Sequence, residues 1–251
     1  MCKDNIIFYW YGASILILND FTSTMHSHYP VEIYVGLDDI LCIKANDNLI
    51  KSKAIVINSN YPHQLDSSNG NVALILLNPN LYRLNKHNCY SDIDCSIVDD
   101  LIKTITVFYS NNPTLADAKN LINNILSTYL KENILDKSVD SRISLLLTKL
   151  EDIPYDKIYS KDLASYIGLS ESHLVHLFKE QTGTNIHKYI LWIRLRKAIK
   201  LILQGNSFTT AAHESGFSDS AHLSRTYRNM FGVTPTEILK YKEINYNLNY
   251  K

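Results

Sequence analysis

Cysteine is scarce in this 251-residue chain, and Cys2, Cys42, Cys89 and Cys95 include no C-x-x-C pair. Without that spacing a zinc ribbon or a thioredoxin-like site has no support, and the four read as reduced, partly buried thiols of a cytosolic protein. Long hydrophobic runs are also missing. The apolar stretch from Ile6 to Leu18 is 13 residues, broken by Gly12 and Ser14, whereas a membrane helix needs about 20. No small-residue cleavage site follows a basic leader there, so the stretch reads as strands and not as a signal peptide. The expectation is a cytoplasmic protein with no membrane partner.

Net charge is absent too, but the zero sum hides an asymmetry. Up to Asp152 the chain carries 12 Lys and Arg against 17 Asp and Glu, and beyond it 13 against 8. An acidic module joined to a basic one is what a sensor fused to a nucleic-acid binder would show. At 45% hydrophobic content the chain can bury a real core and make two domains of ordinary size.

What is present falls into two regimes. Up to about Pro79, β-branched and aromatic runs alternate with polar turns: Ile6 to Trp10, Ile15 to Leu18, Glu32 to Val35, Ile40 to Ile43, Ala54 to Ile57 and Val72 to Leu77. Such spacing predicts a small antiparallel sandwich or barrel. Helical periodicity then takes over. Ile97, Leu101, Ile105 and Phe108 form one stripe; Leu115, Ala118, Leu121, Ile122, Ile125, Leu126, Tyr129 and Leu130 form a stronger one behind Thr114 as N-cap. That stripe can meet the barrel or a second subunit. From Asp140 another amphipathic helix, with Ile143, Leu146, Leu147 and Leu150 on one side, opens the C-terminal part.

The last hundred residues contain a repeat. Gly168-Leu169-Ser170 recurs as Gly216-Phe217-Ser218, 48 positions later; one residue is then added, and Leu174 pairs with Leu223, Phe178 with Tyr227, Lys179 with Arg228 and Gly183 with Gly232 at a separation of 49. Each copy reads as helix, left-handed glycine turn, helix. Ser160 and Ser170 are placed as N-caps in the first copy. If Leu174, Leu177 and Phe178 are buried, then Ser172, His173, Val175, His176 and Lys179 lie on or beside the outer face. In the second copy Leu223, Tyr227 and Met230 go inward, leaving Ser220, Ala221, His222, Ser224, Arg225 and Arg228 outward. Small, hydrogen-bonding and basic residues on one helix face suit the major groove. Between the copies Asn185 to Leu203 reads as one helix of about 28 Å, close to the roughly 34 Å between successive major-groove faces. Arg194, Arg196, Lys197 and Lys200 lie along it, those not buried being available to phosphates.

These residues resemble the AraC family of transcription regulators over about residues 142 to 240. The resemblance rests on Leu177-Phe178-Lys179, Thr182-Gly183, Tyr189-Ile190, Arg194-Leu195, Ala198, Gly216-Phe217-Ser218-Asp219, Ser224-Arg225 and Phe231-Gly232-Val233-Thr234-Pro235. It implies sequence-specific binding of double-stranded DNA through two helix-turn-helix units, usually to activate genes, with RNA polymerase as a partner, dimerisation and no enzyme activity. Carried onto this chain, the base-reading positions are Ser172, Val175 and His176, then Ser220, Ala221 and Arg225. Ala211 and Ser215 depart from the family pattern, standing where larger apolar residues are usual, which predicts looser packing of the second copy.

In the first part His26-Ser27-His28 followed by Glu32, with His63 later, resembles the metal motif of the cupin barrel. Three imidazoles and a carboxylate suit a divalent transition metal, with His26 and His28 alternating on one strand and His63 closing from across the barrel. A metal-free pocket for a small effector and a sensor-like barrel without effector remain alternatives, and no cofactor is assigned. The expected fold is α+β: a cupin-like β-rich barrel with following helices in residues 1–135, then an all-α domain of two helix-turn-helix units in residues 140–244. Two competing readings stay open, a cupin-type metal-binding enzyme and a DNA-binding-defective antagonist of a related regulator.

Overall fold

The computed structural model describes residues 5–10, 12–80, 90–130, 139–152, 159–239 and 243–246. By contacts it divides into two units, Met1–Leu135 together with Arg228–Lys251, and Asp136–Tyr227.

The first unit is built on a nearly closed antiparallel barrel. Its strands are β1 (Ile6–Tyr9), β2 (Ala13–Thr22), β3 (Val31–Gly36), β4 (Leu41–Ala45), β5 (Asn48–Ser52), β6 (Ala54–Ile57), β7 (His63–Leu77) and β8 (Tyr90–Asp92), and β9 (Glu243–Tyr246) returns from the C-terminal end to pair in parallel with β1. The long β7 organises the sheet: it pairs with β2, β3 and β4. A register shift between Asn19 and Phe21, with Asp20 at φ 50°, bends β2 so that its end follows β7.

β2 and β3 are buried on both faces, and alternation decides what each face meets. Val31, Ile33 and Val35 of β3 and Ala13, Ile15 and Ile17 of β2 enter a cluster with the helices α1 (Cys95–Ser110) and α2 (Leu115–Asn124). Glu32 and Tyr34 project from the opposite face of β3, and both are buried.

Thr114 and Asp117 form a reciprocal capping box at the start of α2. A π-helical turn, Ile125–Tyr129, continues α2 and closes with Leu130 N–H donating to Ile125 O at 3.2 Å. Ala118, Leu121, Ile122, Ile125, Leu126, Tyr129 and Leu130 all enter the core cluster. The stripe that left packing and dimerisation open is therefore used in packing. Cys42 is half-buried and Cys95 is exposed, so the expectation of partly buried thiols fails for Cys95; Cys2 and Cys89 lie outside the described residues.

The second unit is helical: α3 (Ser141–Asp152), α4 (Ser160–Tyr166), α5 (Glu171–Thr182), α6 (Ile186–Leu203), α7 (Phe208–Glu214) and most of α8 (Ser220–Phe231), after which α9 (Pro235–Leu239) follows in the first unit. Asn185 caps α6 through Lys188 N–H at 2.8 Å. Leu174, Phe178, Tyr189, Trp192, Leu195, Ala198, Ala212 and Leu223 are buried, and the Tyr189 ring meets Phe178 edge-on at 5.6 Å.

Candidate functional site

The two helix-turn-helix units are matched in their hydrogen bonds. In the first, Gly168 at φ 68° ends α4 and Leu169 N–H donates to Ala164 O at 2.9 Å; in the second, Gly216 at φ 81° ends α7 and Phe217 N–H donates to Ala212 O at 2.9 Å. Both glycines occupy the left-handed region that a side chain would strain. The turns differ by one residue at the cap. Ser170 Oγ accepts from His173 N–H at 3.3 Å to start α5, while in the second unit the role passes to Asp219, whose Oδ1 accepts from His222 N–H at 2.6 Å. The extra residue thus lies between glycine and cap, and the helices after it are offset by 49 positions. Tyr159, without a side-chain cap bond, precedes α4, and Ser160 is its first residue, so the expected cap at Ser160 is not formed.

On α5, Ser172, His173, Val175, His176 and Lys179 are all exposed. On α8, Ala221, Arg225 and Arg228 are exposed, Ser220 is half-buried, and His222 is held inward: its ring meets Phe217 at 5.4 Å and its Nδ1 lies 3.1 Å from Ser218 Oγ. Among the described residues no carboxylate forms an ion pair with Arg225. Its charge does help hold the Asp219 carboxyl below the usual range, after the hydrogen bonds from His222 N–H and Ser218.

The basic residues of α6 divide their work. Arg196 is buried, pairs with Glu151 at 3.0 Å and stacks on Trp192 at 4.5 Å, so it serves the core and not phosphates. Arg194 and Lys197 reach Gly216 O and Glu214 O, satisfying carbonyls at the end of α7. Spacing along α6 shows which basic residues share a face, but not that a helix terminus lies opposite them. Ser215 is fully buried and its hydroxyl has no partner among the described residues, while Ala211 is also fully buried.

In the barrel His26, His28, Glu32 and His63 converge, with ligand atoms all within 4.8 Å of one another and none of the residues more than 6% exposed. The route differs from the expected one. His26 and His28 do not lie on a regular strand; His26 forms an isolated antiparallel bridge with His63, with N–H to O distances of 2.9 Å in both directions. His63 is therefore a backbone neighbour of His26 and does not face it across the barrel. Asn60 at φ 60° shapes the preceding turn, and its N–H donates to His28 O at 2.7 Å.

Each imidazole is oriented by a backbone carbonyl. Nδ1 of His26 lies 2.7 Å from Thr24 O, Nδ1 of His28 2.9 Å from Pro30 O and Nδ1 of His63 2.8 Å from Tyr61 O. Glu32 Oε2 lies 2.8 Å from His28 Nε2 and 3.1 Å from His63 Nε2. Burial, with His63 and His28 nearby, pushes His26 down to about 3, so it is neutral. For Glu32 burial works the other way, but His28 and His63 outweigh it and hold the carboxyl well below its usual range. The Tyr34 phenol is pushed up by burial and by the Glu32 carboxylate. The motif did not point to Tyr34; its position two residues after Glu32 on a strand was the available signal.

Residues 163–241 match the family model described as a helix-turn-helix domain. Over 231 residues, 86% of this chain and 92% of the relative, the chain is 25% identical to "Probable transcriptional regulator LumQ" of Photobacterium leiognathi. Over 110 residues it is 36% identical to the HTH-type transcriptional activator RhaS of Escherichia coli, a stretch that is 43% of this chain and 39% of RhaS. Among solved structures ToxT from Vibrio cholerae matches over 95% of this chain and 98% of its own, with a TM-score of 0.60 at 14% identity. That last likeness is one of fold. None of the described helices is long and apolar enough to cross a membrane.

Proposed function

We infer, from the AraC-type helix-turn-helix domain that this chain carries, that it is a DNA-binding transcription regulator of the AraC family which reads its operator with α5 and α8. The observation that carries this reading is the matched pair of glycine turns, each followed by a helix with an exposed face of small, hydrogen-bonding and basic residues. Arg225 is assigned the bidentate contact to a guanine edge, and His176 its counterpart in the first unit; Val175 and Ala221 suit thymine methyls. Lys179 and Arg228, at the far ends of the two helices, are assigned to phosphates.

Gene activation is the proposed outcome, since the named relative RhaS is an activator. Control is proposed to enter through the barrel-bearing unit, as a small-molecule effector or as homodimer formation. ToxT has been solved with an unsaturated fatty acid bound, which supports a small molecule as one occupant of such a fold.

Selection of bound sequences from a random duplex pool tests the reading. Enrichment of a site with two half-sites about one helical turn apart is expected; failure to enrich any motif from the full chain at low salt would overturn it.

A further inference from the structure

We propose that His26, His28, Glu32 and His63 bind one divalent first-row transition metal ion through the three Nε2 atoms and a Glu32 carboxylate oxygen. This goes beyond DNA reading and stands independently of it.

Proton counting carries the argument. A carbonyl oxygen only accepts, so each Nδ1 facing Thr24 O, Pro30 O or Tyr61 O must carry the proton. A neutral imidazole has one proton to give, which leaves every Nε2 as a bare lone pair. Yet His28 Nε2 and His63 Nε2 both lie within hydrogen-bond distance of Glu32 Oε2, another acceptor. Without a cation the contacts close only if two further protons enter the cluster, shared between the imidazoles and the carboxyl, in a site that is 2% exposed at His28 and 0% at His63. A divalent cation at the centre replaces those two protons charge for charge. It turns three Nε2 lone pairs and the carboxylate into ligands, while every Nδ1–H keeps its carbonyl.

The backbone carbonyls supply the outer support typical of metal-bound histidine, fixing tautomer and ring direction. Donor spacing is also suitable. With bonds of about 2.0 to 2.1 Å, neighbouring ligands of a tetrahedral ion sit roughly 3.3 Å apart, and the set here already lies within 4.8 Å. Three nitrogens and one oxygen favour the zinc, cobalt, nickel and iron(II) class over calcium or magnesium. With all four side chains buried, the site is closed by protein, which suits a structural or regulatory ion more than a catalytic one that keeps an open position.

The test uses the full chain, stripped with a chelator and titrated with zinc(II) and, separately, cobalt(II). Expected are one equivalent of zinc retained after gel filtration, a melting temperature several degrees higher with zinc than without, and cobalt absorption bands of a four-coordinate nitrogen and oxygen site. Glu32→Gln, close in shape, should weaken uptake at least 10-fold, and His28→Gln with His63→Gln should abolish it. Retention of less than about a tenth of an equivalent, or equal uptake by wild type and the double variant, overturns the proposal. If the variants fail to fold, the wild-type cobalt spectrum still decides: thiolate charge-transfer bands would place the ion on cysteine and overturn it.

Discussion

Glu32 and His28 are joined inside the first unit by an Oε2 to Nε2 contact of 2.8 Å, with their side chains 4% and 1% exposed. Four positions separate them in sequence, yet no helix brings them together: Glu32 is on β3 and His28 on the irregular segment before it. Removing the carboxylate takes away the group that both His28 Nε2 and His63 Nε2 contact. In metal-free protein Glu32→Ala should therefore cost about 1 to 3 kcal/mol, read as a lower urea midpoint at unchanged slope. A midpoint equal to wild type would show that the contact contributes nothing to the fold.

For DNA reading, Arg225 and Lys188 separate two kinds of contact. Arg225→Ala should cost about 1 to 3 kcal/mol on the selected operator and relax preference at one base pair. Lys188, exposed near the start of α6, should on substitution by Ala weaken all sequences evenly and lower the salt slope by about one unit. Fluorescence anisotropy on matched and mismatched duplexes at several salt concentrations measures both. Operator affinity unchanged in Arg225→Ala would remove the base contact assigned to it.

The helices and most strands were legible because a face is one-sided. Leu174 and Phe178 recur as Leu223 and Tyr227, and Ile15 to Leu18 and Ala54 to Ile57 are apolar throughout. β5 was not legible, since Asn48–Ser52 buries none of its residues fully and its pairing is set by the turn around Asn46 at φ 52°. The first half of β7 was missed for the same reason: Asp66 and Ser67 pair with β2 but carry no apolar alternation. At the site, the resemblance to the cupin motif named the four residues, but the bridge from His26 to His63 is a tertiary pairing without local signature. Arg196 could not be sorted from Arg194, because the difference is whether Glu151 lies opposite.

The Arg196 and Glu151 pair gives a third expectation. Both side chains are largely buried, at 8% and 16% exposure, so Glu151→Ala would take the carboxylate away from a buried guanidinium beside Trp192. Breaking such a pair from one side costs about 3 kcal/mol. Thermal unfolding should show the loss, and the double variant Glu151→Leu with Arg196→Met should recover much of it. No recovery would mean that the guanidinium's stacking on Trp192, and not the ion pair, is what stabilises the region.

Asp219 gives the second helix-turn-helix an acid-sensitive cap, where Ser170 caps the first without a titrating group. Its carboxyl is held below the usual value by His222 N–H and then by Ser218. The folded value being the lower one, the stabilisation is present above the unfolded value of about 4 and is lost as pH falls through the folded one. Asp219→Asn keeps a capping oxygen without the charge, so its melting temperature should fall less than that of wild type between about pH 5 and pH 3. Parallel acid limbs for the two proteins would exclude the carboxylate as the source.

The unpartnered hydroxyl of Ser215 tests whether the second helix-turn-helix unit is under-packed or merely small. Ser215 is 0% exposed beside Ala211, and its backbone N–H is already used by Ala211 O and Ala212 O at 3.1 Å. Burying a hydroxyl without a partner costs about 1 to 3 kcal/mol, while the volume lost on removing it is small. Ser215→Ala should therefore raise stability by about 1 kcal/mol, and Ala211→Val should add to it only if space remains between α6 and α7. Calorimetry on the two single variants and the double variant resolves this. Stabilisation by Ser215→Ala with destabilisation by Ala211→Val means a close-packed unit carrying one unsatisfied polar group; stabilisation by both means a cavity. A loss of stability in Ser215→Ala would show that the hydroxyl has a partner, and would remove the reason for expecting α8 to be held less firmly than α5.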